Sequence, residues 1–252
     1  ACLFPYDLVA PISENGAYPL PGQAPIKQKR LNEPLPATIR IASYPTVKHL
    51  GRCNRVFEDV LRDADILVFV HTEVEDFGGN EEVNAMTVAT IGVDGFPKSR
   101  VVLLKKFNEE GFIFYTNYNS EKGRAIENNP NICLSFFWSS MERQVIIKGI
   151  AQKTSENISD GYFDSRPTGS KLGAIVSNQS EVVPSRAFLE ENLKQLENDY
   201  EGIVIPRPKH WGGYLVVPFE VEFWQGRPNR LHDRIRYTSQ EDYSWKIDRL
   251  SP

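Results

Sequence analysis

From Val83 onward the apolar residues fall into short runs separated by turn residues, the pattern of successive β-strands. AMTVATIG (residues 85–92) and SRVVLLKKF (99–107) are the first two. Between them Val93-Asp94-Gly95-Phe96 carries the Asp-Gly signal of a two-residue hairpin. A second turn is expected over residues 108–111, leading into FIFYTN (112–117). Ser120 can cap a short helix, EKGRAIENN, that stops before Pro130. ICLSFFW (132–138) and RQVIIKGIAQ (143–152) add two more strands. At least five sequential strands, mostly antiparallel by their short connections, predict a closed or partly open β-barrel, because closure removes exposed edges.

The pattern then changes to that of helices. SENISDGYFDSRP, TGSKLGAIVS and SRAFLEENLKQLENDY follow in turn, and the last places Phe188, Leu189, Leu193, Leu196 and Tyr200 on one face, suited to core or subunit packing. After the connector VIPRPKHWGG, the stretch YLVVPFEVEFWQG returns to strands, so the barrel is split by a helical insert. Upstream the character differs. Eight of the seventeen prolines lie in about the first 55 residues, a density that blocks helices and central strands. RVFEDVLRDADILVFV (55–70) starts with helical spacing and ends as an apolar run, and DFGGNEE breaks the chain at Gly78 and Gly79. The division predicted is a proline-rich arm over residues 1–82 and a barrel domain over 83–252.

A formal net charge of -4 argues against a general nucleic-acid binder, so any anion site is local. No apolar run approaches the roughly twenty residues needed to span a bilayer, and no basic segment followed by an apolar one opens the chain. The reading is a cytoplasmic chain without a membrane partner. Cys2, Cys53 and Cys133 are odd in number and widely spaced, fitting neither a disulfide framework nor a zinc site, and no metal is expected. His49, His71 and His210 are isolated and read as structural or surface residues. Glycine-rich dinucleotide loops, P-loops and Gly-x-Ser-x-Gly elbows are lacking in the sequence.

Candidate chemistry gathers in four places. WQGRPNRLHDRIR (224–236) packs Arg227, Arg230, His232, Arg234 and Arg236 behind an apolar run, with Trp224 able to stack on a flat ring. The plainer reading is a solvated basic edge strand. In RVVLLK, Arg100 and Lys105 bracket a strand, and a separation of five puts them on opposite faces if that strand is regular. Tyr115, Thr116, Ser120 and Lys122 sit at a strand end and helix start, where free N–H groups favour an anion. Tyr162, Arg166 and Ser170 are four residues apart, but Pro167 interrupts the helix that would stack them. The four groups together suit two phosphorylated planar ligands.

RVVLLK, FYTNYNSEKG, ERQVIIKG, YFDSRP, SNQS, HWGGY and FWQGRPNRLHDR, closing on DRLSP, resemble the pyridoxine (pyridoxamine) 5′-phosphate oxidase family in order and spacing from about Val83 to Pro252. The resemblance implies a homodimeric, FMN-binding split β-barrel of Greek-key type with a carboxy-terminal dimerisation segment. It implies oxidation of pyridoxine or pyridoxamine 5′-phosphate to pyridoxal 5′-phosphate by molecular oxygen, with release of hydrogen peroxide. A non-catalytic flavin or pyridoxal phosphate binding protein on the same barrel is the alternative. Carried over by position, Arg100, Val101, Val102, Leu103, Leu104 and Lys105 wall the FMN site, with Tyr115, Thr116 and Lys122, the last facing the FMN phosphate. Gln144, Gln179, Ser180, Trp224 and Arg234 complete it, partly from the other subunit. Lys105, Tyr162, Arg166 and Ser170 hold the substrate phosphate, while Arg230, Leu231 and His232 meet the substrate ring, Arg230 and His232 as catalytic residues. Glu121 stands where the family usually has a basic residue, and its carboxylate repels the phosphate unless it turns away.

Overall fold

The structure, a computed structural model, describes residues 82–252 apart from positions 109 and 243. The expectations for the proline-rich arm, for residues 55–79, and for Cys2, Cys53, His49 and His71 lie outside the described residues. Among the described residues nine strands form one antiparallel sheet: β1 (Ala85–Ile91), β2 (Pro97–Leu103), β3 (Lys106–Asn108), β4 (Gly111–Asn117), β5 (Asn131–Trp138), β6 (Arg143–Lys153), β7 (Trp211–Gln225), β8 (Asp233–Ser239) and β9 (Trp245–Arg249). The main path runs β2-β1-β5-β6-β7-β4-β3, and β8 pairs with β7 and β9.

The two ends of that path are joined by only two residues, so the sheet curls on itself. Leu104 N–H donates to the Asn84 carbonyl beside β1, and Lys105 N–H donates to the Ile113 carbonyl on β4. The expected single strand over 99–107 is therefore two strands that change partner at this seam. The β1–β2 turn also differs from expectation. Gly92 N–H donates to the Phe96 carbonyl, enclosing three residues rather than two, and Gly95 supplies the left-handed position at φ 82°. That is the geometry of a three-residue loop ending in a glycine bulge.

Alternation along β1, β5 and β6 buries Met86, Val88, Leu134, Phe136, Val145 and Ile147 inside the barrel. Helix α1 (Glu121–Asn128) starts as expected at Ser120, whose hydroxyl accepts from Gly123 N–H, and it buries Ala125 and Ile126. Helices α2 (Glu156–Ser165), α3 (Thr168–Val176) and α4 (Arg186–Asp199) form the insert. They close a second core of Phe163, Leu172, Ile205 and Trp211, with Leu193, Leu196 and Tyr200 of the expected α4 face half-buried against it and Phe188 left exposed.

β7 runs unbroken through Pro218, and the register explains how. Trp211 to Val216 pair with β4, Glu220 to Gln225 pair with β8, and residues 217–219 face neither. On the other side, Pro218 lies opposite Gly149 at a register shift in β6. A missing N–H is tolerated at such an irregularity.

Gly111 marks the tightest strand approach: its φ is 140°, and an added Cβ would lie 2.1 Å from the Val216 carbonyl oxygen. Gly111→Ala is expected to lower stability by roughly 2 kcal/mol or more through backbone strain and overpacking. A thermal melt matching that of the parent protein would contradict this β4–β7 packing.

Candidate active site

A cleft of about 770 Å³ opens between β2, β4, the start of α1 and the helical insert. It is lined by Arg100, Val101, Val102, Leu103, Lys105, Tyr115, Thr116, Lys122, Tyr162, Arg166, Ser170, Gln179 and Ser180 among the residues expected from sequence. Arg100 and Lys105 thus share one cavity rather than opposite faces, because β2 ends at Leu103 and the seam redirects the chain. Leu104 is the exception in its segment, being buried in the barrel core.

At one end of the cleft the cations are built in. Arg100 Nη1 donates to Thr90 Oγ1 at 2.7 Å and to the Lys98 carbonyl at 3.0 Å. Lys122 is buried, and its ammonium donates to Thr116 Oγ1 at 3.0 Å and Gln179 Oε1 at 2.9 Å. Burial, and secondly the Arg100 guanidinium, push the Lys122 pKa down to about 8, with Glu121 acting in the opposite direction. The loop after α3 is latched here, since Asn117 Nδ2 donates to the Ser177 carbonyl and Glu121 N–H to Ser180 Oγ. The feared repulsion from Glu121 is met locally: both its oxygens lie on Lys98 Nζ, at 2.7 and 2.6 Å.

The opposite wall is aromatic. Tyr115 stacks on Tyr162 at 3.9 Å between centroids and on Trp211 at 5.5 Å. Arg166 lies 4.5 Å over the Trp211 ring, and its Nη1 is buried without a hydrogen-bond partner. A buried, unmatched guanidinium nitrogen is costly unless something accepts from it. Helix α2 ends at Ser165, Arg166 is extended, and Ser170 reaches the cleft from the first turn of α3, as the proline required. Trp211, Lys98 and Asn117 also line the cleft and escaped the sequence reading. The signal for Trp211 was the glycine pair that follows it. A Cβ on Gly212 would meet the Tyr118 hydroxyl at 2.2 Å and one on Gly213 would meet Tyr115 at 2.9 Å, so both tyrosines cross β7 only where it lacks side chains.

Gln144, Trp224, Arg234, Arg230, Leu231 and His232 do not line this cleft within one chain. Gln144, Trp224 and Arg234 form a cross-strand row over β6, β7 and β8. His232 packs on Trp224 at 4.8 Å, and its Nδ1 accepts from Arg227 N–H, which leaves Nε2 to carry the proton of the neutral ring. The basic cluster is less available than its sequence suggests: Arg227 pairs with Asp233, Arg234 with Glu222 and Arg236 with Asp248. Arg230 is exposed, and it and Asn229 hold consecutive left-handed backbones at φ 61° and 59°. Each such non-glycine residue costs on the order of 1 kcal/mol.

Against this geometry, the family model described as "Pyridoxamine 5'-phosphate oxidase" matches residues 71–198, and that of the "Pyridoxine 5'-phosphate oxidase C-terminal dimerisation region" matches 211–252. The chain belongs to the pyridoxine/pyridoxamine 5′-phosphate oxidase family. It is 82% identical over 179 residues to the Flavobacterium johnsoniae protein named pyridoxine/pyridoxamine 5′-phosphate oxidase, covering 71% of this chain and 84% of that one. Among solved structures, PhzG from Burkholderia lata, in complex with tetrahydrophenazine-1-carboxylic acid, is similar with a TM-score of 0.72 and 27% identity over 82% of this chain and all of the other. A pyridoxamine 5′-phosphate oxidase-related, FMN-binding protein from Nostoc punctiforme shares the fold, with a TM-score of 0.60 and 13% identity over 75% of this chain and 98% of that one. The split-barrel class expected from sequence is the class observed, and the family is one of oxidoreductases. Among the described residues no helix is long and apolar enough to cross a membrane.

The depressed Lys122 pKa sets a pH dependence. An anion held at this end of the cleft would meet the ammonium form, so its affinity is expected to hold below about 8 and to weaken by up to about tenfold per unit as pH rises above it. Folding carries the opposite sign: the unfolded lysine keeps its proton to about 10.5, so this residue adds stability as pH climbs from about 8 toward that value. Calorimetric titration of the protein and its Lys122→Met variant between pH 7 and 9 checks this, with a flat profile expected for the variant.

Proposed function

We propose that this chain oxidises pyridoxine 5′-phosphate or pyridoxamine 5′-phosphate to pyridoxal 5′-phosphate, with FMN as cofactor and molecular oxygen as acceptor, releasing hydrogen peroxide. The observation that carries this reading is one cleft lined by Arg100, Lys105, Lys122 and Arg166 from different parts of the chain, beside a wall of stacked rings. Two phosphates and two flat rings match that arrangement.

The residues fit FMN. Lys122 and Thr116 present polar groups at the start of α1 whose acceptor here is the amide oxygen of Gln179, a group that a phosphate oxygen can replace. Arg100, Val101, Val102 and Leu103 offer β2 as a wall, with Tyr115, Gln179 and Ser180 around it. When bound, FMN supplies the hydride-accepting ring. Arg166, with its unmatched Nη1, would hold the substrate phosphate together with Lys105, Tyr162 and Ser170. Stacked walls exclude water and fix the plane of the substrate, so orientation is the protein's main contribution.

Gln144, Trp224, Arg230, Leu231, His232 and Arg234 would then act from the partner subunit of a homodimer, a state supported by the carboxy-terminal dimerisation region. In that role Arg230 would cover the substrate ring, and His232 would hold a proton at Nε2 beside it. The oxidase domain in this reading is residues 83–252, with residues 1–82 an amino-terminal extension.

Arg230→Ala is expected to cut turnover by 100-fold or more while changing FMN affinity less than about threefold, the pattern of a contact made at the reacting ring. Equal losses would remove Arg230 from that role. Anaerobic addition of pyridoxine 5′-phosphate should bleach the flavin band and air should restore it; a flavin that stays oxidised would favour a binding protein. Light scattering should find a dimer, and an FMN-loaded monomer would rule out shared sites.

A further inference from the structure

One carboxylate stands among the cations of the cleft. Of the described residues that line it, Lys98, Arg100, Lys105, Lys122 and Arg166 are basic and Glu121 alone is acidic. Glu121 is the first residue of α1, where a carboxylate suits the helix dipole but occupies the same positive end that an incoming anion would use. Its two oxygens are taken by Lys98 Nζ at 2.7 and 2.6 Å, and this contact depresses the Glu121 pKa, so the carboxylate stays ionised at neutral pH. Lys98 lies two residues before Arg100 on β2 and therefore on the same face. Arg100 is tied to Thr90, and Lys122 to Thr116 and Gln179, so neither neutralises Glu121 by direct contact. With Lys98 the group carries three positive charges and one negative, a net of +2; without it the net is +1, facing a phosphate that carries close to two negative charges.

We propose that Lys98 is a positioning residue for the phosphate of the bound cofactor: by holding Glu121 it cancels the one repulsive charge at the start of α1 and leaves Arg100 and Lys122 to bind the anion. The inference rests on the assignment of the FMN phosphate to the Lys122 end of the cleft. Lys98 acts through Glu121 rather than by touching the anion, which separates it from the cleft's other cations. As an exposed ion pair, Lys98–Glu121 adds little to stability, so its effect falls on ligand affinity.

The test is flavin-fluorescence titration of the full chain and its Lys98→Met, Lys98→Arg, Glu121→Gln and Lys98→Met/Glu121→Gln variants, with FMN and with riboflavin, which lacks the phosphate. Lys98→Met is expected to raise the FMN Kd by about tenfold at low salt, and by less as salt screens the exposed charges. Riboflavin affinity should not change. Lys98→Arg should keep the parent Kd, and removing the Glu121 charge in the double variant should restore it to within about threefold. An unchanged FMN Kd in Lys98→Met overturns the inference, as does a double variant still as weak as the single one, or an equal loss for riboflavin. If the parent protein binds riboflavin as tightly as FMN, the phosphate assignment fails and the functional reading with it. If the parent prefers FMN and Lys98→Met matches it, only the role of Lys98 falls.

Discussion

Strand β7 hydrogen-bonds to β6 along one side and to β4 and then β8 along the other, and the rest of the structure hangs on that pairing. Its first half brings Trp211 to the aromatic wall of the cleft, and its second half carries Trp224 to the hairpin that bears His232. The places where β7 departs from a regular strand are the places where its neighbours demand it. Gly212 and Gly213 make room for two tyrosines, and Pro218 falls in the gap between one partner and the next. A backbone satisfied on both sides fixes these positions more firmly than loops could.

Charge is handled in opposite ways at the two ends of this strand. Around β8 the arginines meet carboxylates of their own chain, Asp233, Glu222 and Asp248, so the basic look of the sequence is largely spent internally. In the cleft, Arg166 and Lys122 are withdrawn from water against rings, hydroxyls and an amide, with no carboxylate of the described residues hydrogen-bonded to either. Desolvated cations that lack a counter-charge favour whatever anion restores one. This contrast lets a chain of net charge -4 hold a strongly anion-seeking cavity.

Much of the barrel was legible because its strands are short apolar runs set off by turn residues, with burial alternating along β1, β5 and most of β6. The runs at Ala85, Phe112, Ile132 and Arg143 became β1, β4, β5 and β6 nearly residue for residue, and Ser120 capped α1. Two of the misreadings share a cause: they depend on which strand lies alongside, which periodicity does not encode. The stretch SRVVLLKKF looked like one strand because its apolar run is continuous, yet its two halves bond to different neighbours. The arginine cluster looked free because Glu222 and Asp248, on the two neighbouring strands, are its partners. Motif spacing located most of the cleft and the Gly212-Gly213 pair marked Trp211, but Lys98 became visible only through its contact with Glu121, from β2 to the start of α1.

The path β6-β7-β4 also orders events in time. β4 and β6 leave the ribosome well before residues 211–225, with three helices made in between. Until β7 is synthesised, each of them presents an unpaired edge, the kind of surface on which nascent chains stick to one another. Closure then requires contacts across more than a hundred positions of sequence, from Phe112 to Val216, a long loop to tie and a slow one. The strand that unites cleft and hairpin in the finished molecule is thus also the one whose late arrival leaves the growing chain most exposed.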